Sequence, residues 1–220
     1  MCISKFYRKL SELNGEAILK EQSLIILKKL TEILVIDDND FAYLEALQKY
    51  EFNIKQKKDL TLLSDAEAFD IILCDIRGVG TFLSSPYEGA NLIKELKTKY
   101  PAKTIIAYTA EPYNASFQKF LNYADGIMPK GTSLEDWVSL LEKTLKDCAD
   151  PVVQWDKTRK LLLYANVDTI DVAKYESQYV KAVKEENFDS LKKLYEKNKK
   201  QGANIMLELT TSLLAKIIKK

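Results

Sequence analysis

The chain has 220 residues, of which 46% are hydrophobic, 30% are charged and none is histidine. Without an imidazole there is no Ser-His-Asp or Cys-His catalytic arrangement, no His-ligated zinc and no imidazole proton shuttle, so chemistry falls to carboxylates, hydroxyls, lysines or three thiols. The net charge of +1 hides an asymmetry, since residues 1–150 carry 19 Lys/Arg against 23 Asp/Glu and residues 151–220 carry 14 against 9, an acidic body and a basic tail that suggest two modules.

Residues 3–30 place Leu10, Leu13, Ile18, Leu19, Ile25, Ile26, Leu27 and Leu30 at helical spacing, interrupted by Gly15, which predicts two short helices or one broken one. The Leu24 to Leu27 run is stopped by Lys28 and Lys29, too soon for a signal peptide or a membrane span. Ile33 to Ile36 is an apolar run closed by Asp37, Asp38, Asn39 and Asp40, the pattern of a buried strand ending at a polar rim. Phe41, Leu44, Leu47 and Tyr50 then give a helical period, for which Asp40 is the expected N-cap. A weak strand is expected at Phe52 to Lys55, a helix at Ser64 to Ala68, and a second buried strand at Ile71 to Cys74 closed by Asp75.

A long loop with Gly78, Gly80 and Pro86 leads to a helix near Ala90 to Lys99, stopped by Pro101. A strand follows at Thr104 to Tyr108, ending at Thr109, then a helix near Ala115 to Tyr123 and a short strand at Gly126 to Met128 with Lys130 just beyond. Leu134 to Leu145 closes the unit as an amphipathic helix capped by Ser133. Strands alternating with helices of this length predict βαβ units, a parallel sheet and helices on both faces. In residues 151–220 there is no strand-like run; helical spacing runs from Val172 to Tyr195, and Gly202 precedes a last helix striped by Ile205, Leu209, Leu213 and Ile217. The lysines at 192, 193, 197, 199 and 200 are interleaved with apolar residues, which fits a solvated helix face better than a nucleic-acid surface.

Function in open parallel sheets sits outside the carboxyl ends of the strands, where Asp37, Asp38, Asp75, Thr109 and Lys130 all fall. Three carboxylates at adjacent strand tips repel one another and call for a hard divalent cation such as Mg²⁺. A metal there draws in a phosphoryl group; Lys130 can pair with a second of its oxygens, the Thr109 hydroxyl can bond a third, and Asp75 becomes the nucleophile of an aspartyl-phosphate.

This set resembles the receiver domain of two-component response regulators: an acidic pair after the first strand (Asp37-Asp38), a phosphoacceptor after the third (Asp75), Thr after the fourth (Thr109) and Lys after the fifth (Lys130), over residues 31–148. The resemblance implies a flavodoxin-like doubly wound five-stranded sheet of order 2-1-3-4-5, to which the sequence adds a helical extension over 1–30 and a small all-helical module over 149–220. It also implies catalytic Asp75, Thr109 and Lys130, a Mg²⁺ site of Asp37, Asp38, Asp75 and Arg77, and a cytoplasmic switch phosphorylated by a histidine kinase or phosphotransfer protein. Such a switch turns over no external substrate, and its extensions would bind a protein target or a second copy. Three positions depart from the family: the loop from Ile76 to Gly89 is longer, Gly131 replaces the usual proline, and Ile127 stands where a switch aromatic is common. A pseudo-receiver adaptor with an idle pocket is therefore the alternative. Two others are DNA-binding output by residues 151–220, and a haloacid-dehalogenase-type phosphatase built on Asp38-Asn39-Asp40, which leaves Asp75 without a role. The thiols Cys2, Cys74 and Cys148, odd in number and without a CxxC pair, are expected to be reduced, with Cys74 a buried strand residue.

Overall fold

The computed structural model describes residues 9–13, 24–110, 115–197 and 200–218; Cys2, Ile18, Leu19 and most of the helical pattern expected before residue 24 lie outside the described residues. The chain divides into two compact units, one of residues 25–145 and one joining the residues up to 24 with those from 146 onward. Among the described residues no helix is long and apolar enough to cross a membrane.

The first unit is an α/β sheet. Its elements are helix α1 (Leu24–Leu30), strand β1 (Ile33–Ile36), α2 (Leu44–Lys49), β2 (Ile54–Lys57), β3 (Ile71–Asp75), α3 (Glu88–Lys99), β4 (Thr104–Thr109), α4 (Ala115–Leu121), β5 (Gly126–Pro129) and α5 (Leu134–Ala149). All strand pairs are parallel and the order is β2-β1-β3-β4-β5, the flavodoxin-like doubly wound arrangement. Every residue of β1, β3 and β4 is buried, because a central parallel strand is covered by helices on both faces and must be apolar throughout. Alternate residues Leu34, Ile36, Ile72, Cys74, Ile105 and Ala107 pack with Leu92, Ile93 and Leu96 of α3 and Phe117, Phe120 and Leu121 of α4. The opposite set, which includes Asp75 and Tyr108, faces the other way, where Tyr108 meets the ring of Trp137 on α5.

Several expected boundaries move. The edge strand β2 occupies Ile54–Lys57 rather than 52–55; only Ile54 of it is buried, so its Ile-Lys-Gln-Lys carries little apolar signal. Asp40 does not cap a helix from Phe41. The helix starts at Leu44 behind Tyr43, because the Phe41 N–H donates to the Gln56 side chain at 3.0 Å while its ring packs edge-on against Tyr108 and Trp137. Asp40 instead pairs with Lys58. The helix expected at 64–68 is a single 3₁₀ turn, Leu63–Ala66, whose Asp65 carboxylate accepts the Thr61 and Leu62 N–H groups. Ser133 does sit before α5 with its hydroxyl accepting the Asp136 N–H at 3.2 Å. Cys74 and Cys148 are buried and in no disulfide.

The second unit is all helical: α6 (Pro151–Tyr164), α7 (Thr169–Lys184), α8 (Phe188–Glu196), α9 (Ala203–Leu209) and α10 (Leu213–Ile218). Caps set the starts of the first three, with Asp150 accepting from the Val152 and Val153 N–H groups, Asp168 from Ile170 and Asn187 from Ser190. Trp155 stacks on Tyr179, ring centroids 5.2 Å apart, and Tyr179 meets Phe188 edge-on. The single final helix expected after Gly202 is two, since the Thr210, Thr211 and Ser212 hydroxyls donate to the carbonyls of Leu207, Glu208 and Leu209 and end α9. Leu10 and Leu13 pack against this core, and the Leu10 N–H donates to Glu176, which also accepts from the Trp155 indole.

Candidate functional site

The carboxyl ends of β1 and β3 are brought level by the pairing of Ile36 with Cys74, so the next residues, Asp37 and Asp75, stand side by side. Both are buried, while Asp38 is exposed, and the three carboxylates offer oxygens that all lie within 4.8 Å of one another. On the far side of β4, the pairing of Thr109 with Pro129 and a 2.9 Å bond from the Lys130 N–H to the Thr109 carbonyl fix the start of the Lys130 side chain. That side chain crosses the ring of Tyr108, its Nζ 5.0 Å from the centroid, and reaches Asp75 Oδ2 at 2.5 Å and Asp37 Oδ2 at 3.4 Å.

Each carboxylate is held further. Asp75 Oδ1 accepts the N–H groups of Ile76 at 2.7 Å and Arg77 at 3.4 Å. Asp37 Oδ1 accepts the Asn39 N–H at 2.9 Å, its Oδ2 accepts the Tyr108 phenol, and the Asn39 side-chain amide donates to Asp38 at 2.8 Å. Burial pushes the Asp75 carboxyl above its ordinary pKa, against the hydrogen bond and positive charge of Lys130. For Lys130, burial favours the neutral amine, but the bond to Asp75 and the charges of Asp75 and Asp37 outweigh it and raise the ammonium's pKa.

The structure thus gathers Asp37, Asp38, Asp75 and Lys130, while Thr109 is buried at the end of β4, next along the chain from Tyr108. The Arg77 side chain goes elsewhere, its guanidinium carbon 4.4 Å from the Phe117 ring centroid; any metal contact from Arg77 would come from its main-chain carbonyl, because a guanidinium offers no lone pair. Asp40, paired with Lys58, is apart from the triad. Ile127 is 40% exposed on β5. Lys192, Lys193, Lys197 and Lys200 are exposed, and Lys192 pairs with Glu196 one turn on.

Four contributors escape a reading of the sequence alone. Tyr108 stands one position before Thr109, and only the pairing of Tyr108 with Asp75 reveals that it shares the carboxylates' face. Gly78 takes φ +69°, a left-handed backbone conformation that favours glycine, and lies against the exposed Asp38 side chain, where a Cβ would sit 2.4 Å from its Oδ2. Gly89 is packed on the main chain of Asp75, a Cβ there falling 2.0 Å from its carbonyl oxygen. Gln56 donates to the carbonyls of Asp37 and Asn39 and shapes the turn that carries the acids. Between the turn and α5 lies a cavity of about 210 Å³ lined by Asp37, Phe41, Tyr43, Tyr108, Lys130 and Trp137 among others.

No protein-family model and no curated protein matches the sequence. Solved structures do match, and response regulator receiver domains recur among them. The BeF3-activated DrrB receiver domain is 20% identical, covering 53% of this chain and 97% of its own, at a TM-score of 0.44. A CheY-like receiver domain protein from Methanospirillum hungatei is 22% identical, covering 53% and 94%, at 0.42. A response regulator protein from Burkholderia pseudomallei, determined with a phosphorylated aspartic acid, calcium ion and citrate, is 20% identical, covering 65% and 89%, at 0.42.

Proposed function

We propose that residues 25–145 form the phosphoacceptor of a two-component signalling switch in the cytoplasm: Asp75 takes up a phosphoryl group in a Mg²⁺-dependent reaction, and the phosphorylated form controls an interaction made by the helical segments flanking the sheet. The observation that carries this reading is the lysine ammonium 2.5 Å from a buried strand-end carboxylate that itself belongs to a triad with oxygens within 4.8 Å.

Three hard oxygen donors at this spacing suit Mg²⁺, which tolerates few protein ligands and keeps several waters; Asp37, Asp38, Asp75 and the Arg77 carbonyl would hold it. When bound, the ion supplies positive charge to the phosphoryl oxygens. The chain's own groups do the rest. An Asp75 carboxylate oxygen attacks phosphorus, the new O–P bond forms as the bond from phosphorus to the donor's nitrogen or oxygen breaks, and the donor leaves with that electron pair. Lys130 transfers its ammonium from the carboxylate to a phosphoryl oxygen, where the charge now resides, and the Thr109 hydroxyl donates to another. Because these 220 residues hold no histidine, the phosphoryl group comes from outside them, from the phosphohistidine of a kinase or phosphotransfer protein or from a small acyl phosphate. The product is the modified chain itself, so the protein is a switch and not an enzyme acting on an outside substrate.

Incubated with Mg²⁺ and acetyl phosphate, the protein should gain the mass of one phosphoryl group, and Asp75→Ala should gain none. No uptake by the wild type, or equal uptake by Asp75→Ala, overturns the reading.

A further inference from the structure

We propose that Tyr108 is a positioning residue for the divalent-cation site: its phenol holds the Asp37 carboxylate off the Lys130 ammonium and so keeps it available to a metal. This rests on the Mg²⁺ site proposed above and names a further residue on which its affinity depends.

The geometry begins with a competition. Lys130 is one cation between two buried carboxylates, 2.5 Å from Asp75 and 3.4 Å from Asp37, and it faces the Oδ2 atom of both. Left to charge alone, Asp37 would close the remaining gap and share the ammonium equally with Asp75. It does not, because the same Oδ2 accepts the Tyr108 phenol and Oδ1 accepts the Asn39 N–H at 2.9 Å. Two donors from different elements, one on β4 and one in the turn after β1, fix both the rotation and the position of the carboxylate.

The phenol is itself held firmly. Tyr108 is 2% exposed, and its ring is met edge-on by Phe41 at 5.5 Å and by Trp137 at 6.0 Å between centroids. The hydroxyl therefore cannot swing away without moving two other buried rings. Hydrogen-bond donors behind a ligating carboxylate orient it, and removing one typically weakens metal binding about 10- to 100-fold. Tyr108→Phe keeps the ring and its packing and deletes only the donor; Asp37 then turns toward Lys130, and a metal must pull it back.

The test is Mg²⁺ titration by calorimetry on the full chain, with circular dichroism to confirm that each variant folds. The wild type should bind, Asp38→Asn should not, and Tyr108→Phe should bind about tenfold more weakly. Tyr179→Phe also deletes one buried phenol, which in the helical unit donates to the Pro151 carbonyl, and its affinity should stay within about twofold of wild type. Tyr108→Phe binding as tightly as wild type or more tightly, or Tyr179→Phe losing as much as Tyr108→Phe, overturns the role of Tyr108 and leaves the metal site standing. A wild type that takes up no Mg²⁺ overturns the metal site and this inference with it.

Discussion

Gly89 stands where the helix after the long loop touches the end of β3, and two opposing effects decide what an alanine there would do. Inside a helix, alanine is favoured over glycine by about 1 kcal/mol. Against this, the added Cβ would fall 2.0 Å from the Asp75 carbonyl oxygen and 2.7 Å from a Val79 methyl. The carbonyl belongs to a central strand paired on both sides and cannot yield as a surface side chain would. Overpacking of this kind costs about 1–3 kcal/mol, and a clash with main chain belongs at the upper end. Gly89→Ala should therefore lose about 2 kcal/mol net, read as a lower urea midpoint. Gly131→Ala is the matched control: a Cβ there meets nothing within 4 Å, and its stability should stay within about 0.5 kcal/mol of wild type. Gly131 is thus unconstrained by packing, whereas Gly89 is fixed by the main chain of Asp75.

At the scale of elements, the segment between β3 and α3 is tied down by one carboxylate. Asp59 accepts the Gly80 N–H at 2.6 Å, the Thr81 N–H at 3.0 Å, the Thr81 hydroxyl at 2.7 Å and the N–H of Leu60 at 2.8 Å. Partial burial opposes its ionisation, but these donors prevail and hold its pKa below the ordinary 3.8. A depressed carboxylate stabilises the fold above its unfolded pKa, and that contribution is lost as pH falls through the folded value. Wild-type stability should therefore drop as pH falls below about 4, and Asp59→Asn, which has no charge to lose, should drop less over the same interval in urea unfolding at each pH. The contrast between strands shows what could be foreseen. The β1, β3 and β4 runs were legible because strands buried on both faces must be unbroken apolar stretches. The edge strand β2 was misplaced by two residues because Lys-Gln-Lys carries no such signal, and α2 began later than its periodicity suggested because Phe41 is claimed by a ring cluster distant in sequence. Asp37, Asp38, Asp75 and Lys130 were legible as polar residues closing apolar runs. Tyr108 was not, because its place depends on strand register, which pairing sets and composition does not reveal.

At the scale of the whole chain, the carboxylates and the lysine all lie in the unit of residues 25–145, and the two tryptophans are divided between the units: Trp137 in that one, Trp155 in the other. Both indoles are buried, at 1% and 0% exposure, so each reports the unfolding of its own surroundings. A ligand that binds only the folded state stabilises it by about 2.7 kcal/mol at one hundred times its dissociation constant, and that gain belongs to the cooperative unit holding the site. With Trp155→Phe leaving Trp137 as sole reporter, saturating Mg²⁺ should raise the fluorescence-detected midpoint, and Asp38→Asn in the same background should abolish the rise. With Trp137→Phe leaving Trp155, the same Mg²⁺ should move the midpoint little if the units unfold separately. An equal shift at both tryptophans would mean that metal binding at the strand ends is felt throughout the helical unit, the energetic coupling that a switch acting through its flanking helices requires. A shift at Trp137 alone would mean that metal binding is felt only within the unit that holds the site, and would count against such coupling in the metal-bound form.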